Sequence, residues 1–360
     1  YNVVIGDEAG TALTTGDRNT AVGYGALKTE DEHGNNVAIG TDALGTLNAG
    51  ADGNNTAVGK AVGGNMTVGV QNTLMGISSG DALTDADYNV ALGAYSLSGD
   101  TLGSKSTAVG TNALYTQNFT TATDSHNTAV GNDSGKAITT GIQNTIIGSS
   151  AGDALTDADS NVVLGYAALT ADTMGSTSVA IGHSSLGSQN FTTATNSFNT
   201  AVGFYSGLDV STGVQNTLIG AHAGDDITTG DANVAVGYSA LGTTDVGGYN
   251  TAIGNSALGL NVDGSRSVAV GHGALYTQEP ASAVNMNNTA VGYIAGYAVT
   301  TGNDNTFIGG NAGDAINTGS YNTAVGSAAL SLDDVGTHNT AIGYASLASQ
   351  NIATSAATYN

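Results

Sequence analysis

The sequence predicts an all-β chain, a parallel β-solenoid (β-roll) of about twenty 17-residue coils. Three observations predict it. A pentad of the type Asn-Thr-Ala-Val-Gly recurs from end to end, its copies keep a 17-residue spacing almost throughout, and no heptad or helical period competes with it. The composition agrees: Gly 54 and Pro 1 in 360 residues, with 6% aromatic side chains, suit thin stacked layers better than a bulky globular core.

The pentad glycine stands at 6, 23, 40, 59, 76, 93, 110, 131, 148, 165, 182, 203, 220, 237, 254, 271, 292, 309, 326 and 343. Successive members differ by 17, except for one step of 19, ending at Gly59, and three of 21, ending at Gly131, Gly203 and Gly292. The residue before the glycine is aliphatic in every copy, as at Val22, Ile39, Val130, Ile147, Ile181, Val202, Ile219 and Val291. Two positions earlier stands Val or Thr. Alternation in an extended chain points these two columns the same way, and both are expected to form the core.

The residue between them points to the opposite side and is mostly Ala, as at Ala129, Ala201 and Ala290, with larger residues at Leu74, Ile146, Leu218 and Phe307. A small apolar stripe is expected to be the contact between neighbouring chains. Each pentad opens with Asn, replaced by Ser at Ser106, Ser178 and Ser267. Stacked amides such as Asn127, Asn144, Asn161, Asn199 and Asn216 are expected to form an internal hydrogen-bonded ladder.

After the glycine comes a second apolar segment, expected to be a second short strand. It has two forms, one with Leu (Tyr24-Gly25-Ala26-Leu27) and one with Gly (Ser149-Ser150-Ala151-Gly152). From Gly59 they alternate as Gly, Gly, Leu, Leu, with one extra Leu-type coil before Gly292, giving a 72-residue super-repeat. The chain is therefore one continuous repeat domain, 1–360, with super-repeats at roughly 55–126, 127–198, 199–287 and 288–360. It starts within a pentad and stops at Asn360, where a new coil would begin, so it reads as an interior segment of a longer fibre.

The 21-residue coils carry extra residues at 116–123, 188–195 and 277–284. Insertions in a solenoid leave the core on one face, so these should project as loops. Asn118, Phe119, Asn190, Phe191 and Pro280 are the candidate ligand contacts, with covering of its own coil or locking onto the adjacent chain as the alternative for each Phe.

Acidic residues outnumber basic ones 29 to 6, a formal charge of −23, which repels phosphate backbones and excludes nucleic acid as a partner. No apolar run approaches the roughly 20 residues that span a bilayer, so no membrane insertion of this segment is expected. With no Cys there are no disulfides and no thiolate chemistry. Gly76-Ile77-Ser78-Ser79-Gly80 and Gly148-Ser149-Ser150-Ala151-Gly152 match a nucleophile elbow, but His222 and Asn311 take the serine position in the same frame, so repeat grammar accounts for the glycines. No enzyme is expected. Asp85-Ala86-Asp87 and Asp157-Ala158-Asp159 begin like a Ca2+ loop without its Gly and Glu; they read as solvated turns, with opportunistic Ca2+ at Asp85, Asp87, Asp157 and Asp159 as the alternative. No other cofactor or metal is expected.

Ser178-Val179-Ala180-Ile181-Gly182-His183 and Ser267-Val268-Ala269-Val270-Gly271-His272 resemble the head repeats of YadA-like trimeric autotransporter adhesins, and all twenty copies share the likeness. Similar Asn-Thr-Ala-Val-Gly arrays occur in phage and bacterial tail-fibre-like proteins. The resemblance implies a left-handed roll, three chains side by side, with Val179 and Ile181 toward the core and Ala180 toward the neighbouring chain. It implies a homotrimeric structural or adhesive fibre segment, extracellular, on a bacterial cell surface or a phage virion, its partners being itself and a host surface or polysaccharide. The alternative is a solenoid whose Thr and Asn ladders bind an ordered surface such as ice or polysaccharide. That alternative requires the Thr column to face outward.

Overall fold

A computed structural model describes residues 1–280 and 282–351; the coil start expected at Asn360 lies outside the described residues. The chain divides into two units, Tyr1–Thr177 with Thr192–Thr195, and Ser178–Phe191 with the residues from Asn196 on. Each is an all-β stack of parallel coils. The pentads supply twenty three-residue strands, ten in each unit.

Within the first unit Val3–Ile5 pairs in parallel with Thr20–Val22, and Thr20–Val22 with Val37–Ile39, continuing to Val162–Leu164. Within the second, Val179–Ile181 pairs with Thr200–Val202 and so on to Thr340–Ile342. Equivalent pentad residues face each other even across the insertions: Ala108 pairs with Ala129 and Ala38 with Ala57. The extra residues leave the strand register untouched.

The second apolar segment is a chain of turns, not the second strand expected from the sequence. Its residues two and four places after the glycine are left-handed, as at Asp42 (φ 54°) and Leu44 (φ 48°). A left-handed Leu costs roughly 1–2 kcal/mol. Complete burial of Leu27, Leu44, Leu97 and Leu114 offsets that. Coil-to-coil bonds continue through these turns, with Leu27 N donating to Ala43 O and Leu44 N to Val62 O, both at 3.0 Å.

The interior lies on the side opposite to the one expected. Ala129, Ala201 and Ala290, together with Leu74, Ile146, Leu218 and Phe307, have no solvent exposure within a single chain, so they form the core and are not inter-chain contacts. Conversely Val22, Val130, Ile181 and Val202 are half-buried and Ile39, Ile147, Ile219 and Val291 exposed, so these are outward residues and not core. Val179 and Ile181 likewise point away from the interior, and Ala180 into it. A 17-residue coil encloses a narrow space, which admits the methyl of Ala where a column of Ile would overpack it.

The large residues in the Ala column show how tightly that space is balanced. Gly296 and Gly313 leave room in successive coils, and Phe307 fills it: a Cβ at Gly296 would lie 2.7 Å from Phe307 Cδ2. Leu218 occupies the same position between Gly207 and Gly224, where a Cβ would come within 2.7 and 2.8 Å of its methyls. Leu-type coils bring their own Leu and keep a small residue in the pentad, Ala except at Val163. The two forms conserve core volume by different residues.

The closing glycine of a stacked pentad meets the next coil too closely to carry a side chain. At Gly131 φ is 139°, and a Cβ would stand 2.4 Å from the carbonyl oxygen of Gly148 in the next coil.

Candidate interaction surface

The outward pentad side carries two columns. One is aliphatic throughout, with Met75 48%, Ile147 37%, Leu164 44%, Ile219 41% and Ile308 41% exposed. The other holds Thr or Val, half-buried at Thr20, Thr128, Thr200 and Thr217 and exposed at Thr73 and Thr145. Parallel pairing in register repeats both columns at about 4.8 Å per coil. The result in each unit is a contiguous face of methyls interrupted by hydroxyls, with no charged residue in either column. Contiguous apolar surface of this kind marks a contact site.

Beneath the face lies the Asn ladder, as the sequence predicts. Asn127 Oδ1 accepts from Asn144 N at 2.9 Å, and Asn144 Oδ1 from Asn161 N at 3.0 Å. In the second unit Asn199 Oδ1 accepts from Asn216 N at 2.9 Å. The same amides donate inward across the coil, Asn144 Nδ2 to Ala158 O and Asn199 Nδ2 to Gly213 O, both at 2.7 Å. Each of these rungs joins the strand of one coil to the corner of its own coil and to the next strand.

The ladder is rebuilt wherever a 21-residue coil interrupts it. Ser106 replaces Asn, and Gln117 from the long coil reaches in: its Nε2 donates to Ser106 Oγ at 2.8 Å and to Asp100 Oδ2 at 2.6 Å, while its Oε1 accepts from Asn127 Nδ2 at 2.9 Å. Asp100 is fully buried, and its Oδ1 also accepts from Gly103 N (3.0 Å) and Phe119 N (3.1 Å). In the second unit Gln189 donates to Ser178 Oγ and accepts from Asn199, and Gln278 accepts from Ser267 Oγ and Asn288. Sequence reasoning missed this network. Its signal was available: Gln always stands seven residues after the pentad glycine of a long coil.

The expectation for the long-coil loops is in part corrected. Phe119 is 4% and Phe191 7% exposed, and Pro280 is buried, so these three are not surface contacts, and Phe119 packs against Gly103 of the preceding coil. Asn118 and Asn190 are exposed, as are 120–122, 192–194 and 282–284. Asn118 Oδ1 accepts from Thr101 Oγ1 at 3.0 Å. After the loop the chain returns to register, Thr123–Asp124 pairing with Gly103–Ser104 and Val284–Asn285 with Gly264–Ser265.

The acidic pairs serve the backbone. Asp87 Oδ1 accepts from Val70 N (2.8 Å), Asp159 Oδ1 from Ile142 N (2.7 Å), and Asp157 Oδ1 from Thr140 Oγ1 (2.7 Å). Among the described residues the one grouping of three metal-ligating side chains is Glu30, Asp31 and His33, and it includes none of the Asp pairs. Glu30 is fully buried with its oxygens taken by His33 N and Ala49 N, both at 3.1 Å. It precedes the 19-residue coil as Asp100 precedes a 21-residue one, and plays the same part. The match is imperfect there: Asn36 Nδ2 is buried with no hydrogen-bond partner.

In the second unit aromatic and imidazole rings gather on the turn side. His183, Phe204, Tyr205, His222 and Tyr238 follow one another at centroid distances of 3.9 to 6.0 Å. His222 Nδ1 and Asp225 Oδ2 are hydrogen-bonded at 2.7 Å. Burial pushes the Asp225 carboxyl up, against the pull of His222, and burial beside Asp225 pushes Asp226 up as well. The two elbow-like serines, Ser78 and Ser150, sit in left-handed coil turns and not at a strand-to-helix turn. A search against models of known protein families and a comparison with curated proteins both find no match.

Proposed function

We propose that the chain is a structural and adhesive segment of an extracellular fibre, displayed on a bacterial surface or a phage particle, that performs no chemistry and associates with copies of itself. The observation that supports this reading is the uncharged face of paired aliphatic and Thr/Val columns. A second copy of the chain has the same rise per coil, so its methyls can stay in step with these over many coils. No globular partner offers that match. Three chains side by side, as the head-repeat resemblance implies, would cover the face, with the outward columns taking the contact role first assigned to Ala.

Replacing Ile147, Ile219 and Ile308 by Glu tests it, because outward residues can change without entering the core. The expected result is separation of the chains in light scattering with an unchanged circular-dichroism spectrum. A wild-type monomer, or an oligomer indifferent to three buried charges, would overturn the reading.

The outward Thr column supports a second reading, an ordered-surface binder for ice or polysaccharide. Val interrupts that column at Val37, Val90 and Val234, and the adjacent column varies among Ile, Val, Leu and Met, so the hydroxyl spacing is irregular. Thr128, Thr145, Thr200 and Thr217 changed to Val should therefore leave ice-crystal shape and growth as they are with the wild type. Ice shaping by the wild type, lost in this variant, would put the second reading first.

A further inference from the structure

The aromatic cluster of the second unit borders a groove of about 320 Å3 that crosses four successive coils, from His222 to Tyr276. At about 4.8 Å per coil its run is about 14 Å. Two glycines open it. The position five residues after the pentad glycine holds Asp225 and Tyr276 at the ends of the groove, and Gly242 and Gly259 between them. Neither glycine has a left-handed backbone, so the missing side chains are not required by the fold. Tyr276 lies over the second: a Cβ at Gly259 would stand 2.8 Å from its ring.

The walls are braced. Tyr276 stacks on Tyr297, centroids 5.2 Å apart and planes 13° from parallel. Tyr238, 57% exposed, meets His222 edge-on at 6.0 Å. The hydrogen bond between His222 Nδ1 and Asp225 Oδ2, 2.7 Å, fixes the imidazole at that end of the groove. Thr243, Ser239 and Ser256 add hydroxyls along the floor.

We propose that this groove binds a short stretch of a neutral or amino-sugar oligosaccharide, about three sugar units long. The exposed ring of Tyr238 and the half-buried, braced ring of Tyr276 suit the C–H side of a pyranose, and hydroxyls with a carboxylate suit its hydroxyl edge. The acidic surroundings, with Asp209, Asp226 and Asp245 near Asp225, disfavour sialylated or uronic-acid chains. Commitment to a sugar rather than an apolar peptide follows from the lining, where polar side chains alternate with rings. The proposal deepens the adhesive reading by giving it a site and a ligand class.

The test is calorimetry and glycan-array binding of the full chain against chitohexaose, cellohexaose, the chitosan hexamer and sialylated and uronic-acid oligosaccharides. Wild type should bind at least one neutral or amino-sugar hexamer and no acidic one. Tyr276→Ala should weaken binding about tenfold, the loss expected of one ring contact. Gly242→Lys should weaken it as much by filling the floor, and it imports the residue that Lys28 and Lys136 supply at the same coil position, so folding is retained. No binding to any neutral or amino sugar, preference for acidic chains, or binding indifferent to both variants would overturn the proposal. Light scattering on the same samples separates it from the fibre reading: loss of sugar binding with the oligomer intact counts against the groove alone.

Discussion

The plain and the long coils solve one problem with different chemistry. In a 17-residue coil such as that of Asn144, a single amide links the strand to its corner and to the next coil, and the rest of the interior is apolar. In the coil of Gln117, which is four residues longer, Ser106 stands in the place of Asn and its Oγ meets Ser125 Oγ of the returning corner at 2.5 Å. There a longer amide, a buried carboxylate and a shortened Ser make the same connection, and Phe119 seals the gap. An insertion in a solenoid is thus tolerated only with a matched change one coil earlier, since Asp100 belongs to the preceding coil. The core couples neighbouring coils as the strands do.

Removing the seal should have the largest effect. Phe119→Ala empties a buried site beside Gly103 and should lower the local opening free energy by about 4 kcal/mol. Hydrogen exchange should show protection lost in the coils on either side of residue 119 and retained elsewhere, because each coil touches only its neighbours. Equal loss throughout the first unit would show that its coils do not respond individually.

Gln117→Leu should come next, at about 3 kcal/mol, because it takes the Gln partner from buried Asp100 Oδ2, Ser106 Oγ and Asn127 Nδ2 at once, although Ser106 keeps Ser125 Oγ and Asn127 keeps Gly141 O. Asn144→Leu, in a plain coil, strands the Asn161 N–H and the Ala158 carbonyl, both uncharged, and should cost about 2 kcal/mol. Hydrogen exchange of the flanking amides measures both. If Asn144→Leu proved the costlier, the long coil would be a looser copy of the plain one and not an equivalent solution.

The period, the pentad strands, their register and the Asn ladder were all legible in the sequence, because each depends only on repetition and on the two-fold alternation of a strand. Which side faced inward was not. Three residues of alternating direction define two faces equally well, and the bulkier pair was assigned to the core by analogy with globular proteins. The deciding quantity is interior volume. It was encoded in the coincidence of Leu74, Ile146, Leu218 and Phe307 with paired glycines, which only makes sense if all share one enclosed space. The groove was illegible for another reason: Asp225, Gly242, Gly259 and Tyr276 become neighbours only once the coils are stacked in register.

The smallest effect should come from converting a long coil completely into a plain one. Deleting 119–122 alone restores the 17-residue length, yet it removes the Phe119 N–H from Asp100 and sets Asp124 at the corner where Gly141 stands in the next coil. A Cβ at Gly141 would lie 2.3 Å from Ala158 O, and the side chains that plain coils do carry at this corner, Ala86 and Ala158, are smaller than Asp. The bare deletion should therefore cost about 2 kcal/mol or more, from an unpaired buried group and a crowded corner. Adding Asp100→Leu, Ser106→Asn, Gln117→Leu and Asp124→Gly supplies what the plain coils use at each of those positions. Closing a loop shorter by four residues changes its entropy by only a few tenths of a kcal/mol. The fully converted chain should then match the parent to within about 1 kcal/mol by hydrogen exchange at the amides of 107–109 and 128–130. A bare deletion as stable as the full conversion would mean that the Asp–Gln pair is incidental to the insertion, and the equivalence of the two coil types would fail.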